Sequence, residues 1–183
     1  MFNIVFQSLF FFLPAYISNA VPVFLEKMRW FEFLKVPVDF GYKLNGNYLF
    51  GSTKTFRGII GGTIGGILII YLQSLAYIYI PGVQGWFLLS YDLPNILLLG
   101  FLLGTGEGLG DLIKSFFKRR MKLASSAPCF PLDQTSFLGA LVLSLIYFPI
   151  SALHILSILI ISPLVPFIAN LLAYKVGWKK VWW

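Results

Sequence analysis

"LLLGFLLGTGEGLGDLIKSFFKRR", residues 97–120, joins two opposed chemistries in one unbroken run. Its first half is apolar and studded with glycine, as suits a helix in hydrocarbon. From Glu107 to Lys122 the chain then places two acids, five cations and a serine. The whole chain has 183 residues, of which 58% are hydrophobic and only 11% charged, and its mean hydropathy is +0.82. That apolar share exceeds what one soluble core of this length uses, so the fold class is an all-α integral membrane protein.

The composition also narrows the chemistry. A single cysteine, Cys129, excludes an internal disulfide framework and a cysteine-rich zinc site, and the lone His154 removes a serine–histidine triad and histidine-based metal ligation. Carboxylates, Lys, Arg and hydroxyls are what remain. The N-terminal stretch MFNIVFQSLFFFLPAYISNA lacks the basic leader of a secretory signal and is about as long as a span, so it reads as the first crossing, without cleavage.

Apolar stretches of the roughly 20 residues needed to cross a bilayer lie near 2–24, 58–80, 93–112, 136–151 and 155–174. About five spans in one membrane domain, residues 1–183, are therefore expected, the fourth being short. The last two would form a hairpin through FPISALH, with one long kinked span as the rival arrangement. All 14 cations fall between spans one and two, between spans three and four, or after span five. With five spans these regions share a side, and the positive-inside rule makes it cytoplasmic, with the N-terminus outside and the C-terminus inside. The functional loops are then 26–57 and 113–135. The tail KVGWKKVWW reads as an interfacial anchor, and the outer loop near 81–92 carries only Asp92.

In the first loop, Pro37, Gly41, Gly46 and Gly51 mark turns. Lys54, Thr55 and Arg57 fall where span two begins, so the N–H donors of a helix start would join them in holding phosphate oxygens; a plain solvated basic loop is the alternative. If span three stays helical past Gly110, Glu107, Asp111, Ser115 and Arg119 are four apart and share a face with Lys114 and Lys118. Acids at the end of a span with a hydroxyl and cations one and two turns further out suit a Mg²⁺–triphosphate: the acids bind metal and the cations neutralise phosphate. Ordinary juxtamembrane charge is the competing account of the Lys/Arg run. Glu107 is harder to treat so, because a carboxylate in an apolar span is costly without a partner. Asp133, just before span four, supplies a third acid at the same level, and the three are expected to converge.

Gly58, Gly62 and Gly66 of span two and Gly100, Gly104 and Gly108 of span three recur at every fourth position. Such stripes let helices approach closely in lipid, and they equally leave room for a substrate headgroup. GTGEGLG is neither a Walker loop nor a dinucleotide fingerprint, since its glycines alternate and no strand precedes it.

Two separated motifs carry a family resemblance. GSTKTFRGIIGG (51–62), and GDLIKSFFKRR (110–120) followed by PLDQTSF (131–137), resemble the paired signature segments of phosphatidate cytidylyltransferases. The short five-span chain, PVDFGYKLNG (37–46) and DQTSFLGA (133–140) resemble more closely their archaeal relatives, the CDP-archaeol synthases. The resemblance implies that CTP and 2,3-bis-O-(geranylgeranyl)-sn-glycerol 1-phosphate give a CDP-activated lipid and pyrophosphate, with Mg²⁺ required. It implies that Asp111 and Asp133 are associated with the metal. On physical grounds, Glu107 would orient the metal shell or close an internal hydrogen bond. Ser115, Lys118, Arg119, Lys54 and Thr55 would bind nucleotide phosphates or close the site, and Asn19 is a weaker candidate for a nucleotide contact. The stretch KLASSAPCFPLDQ departs from the bacterial type, which has a Lys-Asp pair before its last acid. The expected partners are CTP, an isoprenoid ether lipid phosphate and the bilayer, with no nucleic acid; a homodimer is left open. An ester-lipid cytidylyltransferase and a small transporter or channel are the alternatives; against the latter, the charges gather at one face and no inverted repeat is visible.

Overall fold

The computed structural model of the chain describes residues 2–91, 95–124 and 127–178. Asp92, Lys179, Lys180 and the last tail residues lie outside them, so the anchor and outer-loop readings there have no structural counterpart. Helix α1 is Phe2–Met28, α2 is Phe56–Tyr79 and α3 is Asn95–Arg120; then come α4 (Phe137–Tyr147), α5 (Ala152–Ile161) and α6 (Leu164–Lys175). The first three, and α5 with α6 taken together, are long and apolar enough to cross a membrane. The chain is thus a mostly helical, multi-pass membrane protein.

Three of the expected spans differ from the helices formed. Helix α3 does not stop near 112 but runs to Arg120; at 1.5 Å per residue its length is about 39 Å, more than the hydrocarbon thickness, so it carries the charged motif in helical register. Helix α4 has 11 residues, a rise of about 16 Å and so about half a hydrocarbon core. The last apolar stretch is broken at Ser162 and Pro163 into α5 and α6, because proline cannot continue the ladder of the preceding turn. The path after α4 turns back through 148–151, and α6 packs beside the 3₁₀ turn Leu132–Gln134 that leads into α4. Both loops and the C-terminal helix therefore meet at one end of the bundle.

Helix α3 is the central element, packed against α2, α4 and α1. The glycine stripes explain how. A Cβ added to Gly66 would lie 2.9 Å from the Gly100 carbonyl oxygen and 3.0 Å from the Gly104 Cα, and one added to Gly106 would lie 2.6 Å from the Ala140 Cα. Only hydrogen fits at these crossings, so both α2 and α4 touch α3 backbone to backbone. Small hydroxyls add polar seams: Ser18 donates to the Gly104 carbonyl at 3.1 Å, and the Thr63 and Thr105 hydroxyls lie 3.3 Å apart. Away from these seams, Leu98, Phe101, Leu109, Ile113 and Phe117 form an exposed stripe down α3, which suits lipid rather than water.

The first loop is folded. Asp39 is buried and accepts hydrogen bonds from the backbone N–H groups of Phe50 (2.9 Å), Gly51 (3.0 Å) and Gly41 (3.0 Å). Burial pushes its carboxyl up, but these donors outweigh burial and hold it below its ordinary value. Strands β1 (Lys43–Leu44) and β2 (Asn47–Tyr48) pair antiparallel around Asn45-Gly46. Both turn residues have positive φ, 51° and 79°, the conformation an Asn-Gly pair adopts most readily in a two-residue hairpin. Arg120 donates to the carbonyls of Leu44 (3.0 Å), Asn47 (3.2 Å) and Tyr48 (2.8 Å), pinning the hairpin on the end of α3.

Candidate active site

The end of α3 supplies the framework. Helical spacing puts Glu107, Asp111, Ser115, Lys118 and Arg119 on the side that faces the first loop and the start of α4, and all five line one cavity of about 1130 Å³. Val38 donates to the Lys54 carbonyl at 2.8 Å and Phe56 to the Val36 carbonyl at 3.0 Å. This short ladder aims the Lys54 side chain across to α3, where its Nζ lies 2.5 Å from Asp111 Oδ2. Lys114 approaches the other oxygen of Asp111 at 3.0 Å and also donates to the Asp133 carbonyl at 3.2 Å. Lys118, itself buried, donates to Asp133 Oδ1 at 2.7 Å and to the Ala127 carbonyl at 2.6 Å. The second Asp133 oxygen accepts the Cys129 N–H at 2.7 Å. Ser115 donates to the Asp111 carbonyl one turn back, at 2.7 Å, keeping its lone pairs for another donor.

The structure thus brings together residues from both loops. Asn19 on α1 also lines the cavity, as do Lys54, Lys114 and Asp133. Thr55 and Arg57 do not. Thr55 caps α2, accepting from Gly58 N at 3.3 Å. Arg57 is buried and turned away, paired with Glu26 and with Glu32 (2.5 Å) and donating to the Trp30 carbonyl at 3.3 Å. Its neighbours in sequence are close to the cavity, but two glutamates from the end of α1 and the following turn satisfy it first. Glu26 and Glu32 gave no sequence signal beyond their charge.

The expected convergence of Glu107, Asp111 and Asp133 is not formed as a ready cluster: among the described residues no three acidic, histidine or cysteine side chains group as metal ligands. Lysines hold Asp111 and Asp133 apart as two separate ion pairs. Glu107, only 3% exposed, leaves Oε1 without a hydrogen-bond partner inside the same cavity. The donor set still suits Mg²⁺, a hard cation commonly held by one or two carboxylates together with substrate phosphates and waters. Asp111 with Glu107 one turn away would supply the carboxylates, and Asp133 stands across the cavity.

The opposite wall was not read from the sequence. The cavity continues between α1 and α6, where Val21, Phe24, Val165, Pro166, Ala169 and Ala173 line it. The small residues Ala169 and Ala173, one turn apart, open that face of α6. One chamber thus has an ionic end on α3 and an apolar end between two helices, an arrangement fit for an amphipathic anion.

A helical membrane protein with such a chamber belongs among intramembrane enzymes, and the comparisons place it there. A solved structure described as an intramembrane enzyme for archaeal membrane lipid biosynthesis matches with a TM-score of 0.65 and 26% identity, covering 92% of each chain. The family model described as CarS-like CDP-archaeol synthase matches residues 1–183. The CDP-archaeol synthase of Thermococcus gammatolerans is 41% identical over 180 residues, 97% of this chain and 96% of the relative. That of Methanococcus maripaludis strain S2 is 38% identical over 182 residues, 98% and 97% of the two chains. The chain belongs to the CDP-archaeol synthase family, and with it to the cytidylyltransferases.

Proposed function

We propose that the chain condenses CTP with 2,3-bis-O-(geranylgeranyl)-sn-glycerol 1-phosphate, with Mg²⁺ as cofactor, giving unsaturated CDP-archaeol and pyrophosphate. The observation that carries this reading is the single chamber with lysines and carboxylates at one end and an apolar channel between α1 and α6 at the other. The isoprenoid chains would occupy the channel, with their phosphate beside Asp111, Lys114 and Lys118. CTP would enter from the cytoplasm, where the positive-inside rule puts both loops. The whole chain then serves as one membrane domain.

In the reaction an oxygen of the lipid phosphate attacks the α-phosphorus of CTP, a P–O bond forms there, and the bond to the β-phosphate oxygen breaks with its electron pair leaving on pyrophosphate. The lipid phosphate, with a second pKa of about 6, is already anionic near neutral pH, so no strong base is needed. The obstacle is mutual repulsion of two anions, and alignment with charge neutralisation is the remedy. Lys54, Lys114 and Lys118 sit pre-positioned on carboxylates, ready to exchange them for phosphate oxygens. Mg²⁺, when bound by Asp111 and Glu107, would supply further neutralisation of the phosphate oxygens.

The test is incorporation of radiolabelled CTP by purified protein offered the ether lipid phosphate or phosphatidate, with and without Mg²⁺. Label in the ether lipid supports the reading. Label confined to phosphatidate would replace the substrate, and no label in either lipid from folded protein would overturn the reaction.

A further inference from the structure

Beyond the main chamber, the hairpin and the end of α3 border a second, open cavity of about 320 Å³, lined by the exposed Lys43, Tyr48 and Lys122 and by Asn47 and Arg119 among others. Its charge is one-sided. Where Lys54, Lys114 and Lys118 each have a carboxylate partner, this cavity has three cations and no acid in its lining. Lys43 lies over the Tyr48 ring, 4.9 Å from its centroid, and among the described residues neither it nor Lys122 forms an ion pair. Arg119 is 9% exposed and its buried Nε has no hydrogen-bond partner. A buried N–H donor without an acceptor is costly unless a ligand supplies one. Arg119 also lines the main chamber, and it lies two turns, about 12 Å, further along α3 than Asp111. One side chain thus borders both spaces.

We propose that this second cavity binds a polyphosphate oxyanion, the pyrophosphate released by the reaction, with Arg119 passing it from the main chamber to Lys43 and Lys122. The identity of the anion rests on the reaction proposed above; the site itself rests on the unpartnered cations. The volume lies at the lower end of the range for small-molecule pockets. Because Arg120 pins the hairpin to α3, the site exists before the anion arrives.

The experiment is calorimetric titration of inorganic pyrophosphate into the detergent-solubilised full chain, with inhibition of CTP incorporation by pyrophosphate measured alongside. The wild type should bind pyrophosphate saturably. The double variant Lys43→Gln/Lys122→Gln should bind about tenfold more weakly, with matching loss of inhibition and an unchanged melting temperature. The control Lys27→Gln/Arg29→Gln, which removes the same charge elsewhere, should bind like wild type. Absence of wild-type binding, equal binding by the Lys43/Lys122 variant, or equal weakening in the control would each overturn the proposal. Specific pyrophosphate binding without any CTP incorporation would sink the reaction but leave the site. Incorporation with pyrophosphate affinity untouched in the variant would sink the site but leave the reaction.

Discussion

Lys54, just ahead of the cap of α2, contacts Asp111 of α3 at 2.5 Å across 57 positions of sequence. This pair joins the two motifs into one site. Replacing Asp111 with Asn would leave Lys54 and Lys114 without their anion and remove a carboxylate proposed to hold Mg²⁺. Turnover is expected to fall by about a hundredfold or more, with the helical circular-dichroism spectrum retained. Wild-type rates in Asp111→Asn would remove that carboxylate from the mechanism.

Arg57 should behave differently, because its role is to fasten the first loop. Its partners Glu26 and Glu32 are about half exposed, so solvent screening limits the loss in Arg57→Ala to about 1–2 kcal/mol. The expected result is a lower melting temperature in detergent with CTP affinity little changed at temperatures where the protein is folded. Weakened CTP binding at an unaltered melting temperature would instead put Arg57 in the nucleotide site.

At Gly110, even one methyl group is too many, since an added Cβ would overlap the Ser136 carbonyl. Gly110→Ala is expected to destabilise the α3–α4 contact by about 1–3 kcal/mol. Gly85→Ala is the control, with nothing within 4 Å of the added carbon. Thermal midpoints of the two variants would settle it: equal values would mean that α4 shifts aside at little cost.

Asp39 gives the first loop a pH dependence of known sign. Its folded-state pKa is lowered, so the carboxylate contributes stability that is fully present above the unfolded value of about 3.9 and is lost as pH falls through the folded value. The melting temperature should therefore drop below about pH 4, and this drop should be smaller in Asp39→Asn. Identical acid profiles for the two proteins would show that the three N–H donors do not favour the charged form.

The α3 sequence shows where legibility ended. Hydrophobic runs identified α1, α2 and most of α3, and four-residue spacing placed Glu107, Asp111, Ser115 and Arg119 on one face, because helical periodicity is a local property. The break at Ser162 and Pro163 was less visible, since an apolar run looks continuous whether or not its helix is. Thr55 and Arg57 share a basic motif with Lys54, yet only Lys54 reaches the chamber; the direction of a side chain in a loop depends on the ladder that Val36 and Val38 form, which no linear pattern records.

The sequence by itself determined a helical membrane protein with its cations kept to two loops and the C-terminal tail, because bilayer thickness and the cost of charge in hydrocarbon act on each segment separately. Tertiary structure alone decided the rest. It matched Lys54, Lys114 and Lys118 to their carboxylates, turned Arg57 away from the chamber to Glu26 and Glu32, left the Arg119 Nε without a partner, and made α6 a wall of the chamber. These are outcomes of competition among groups distant in sequence, and a charge takes whichever partner the packed backbones bring within reach.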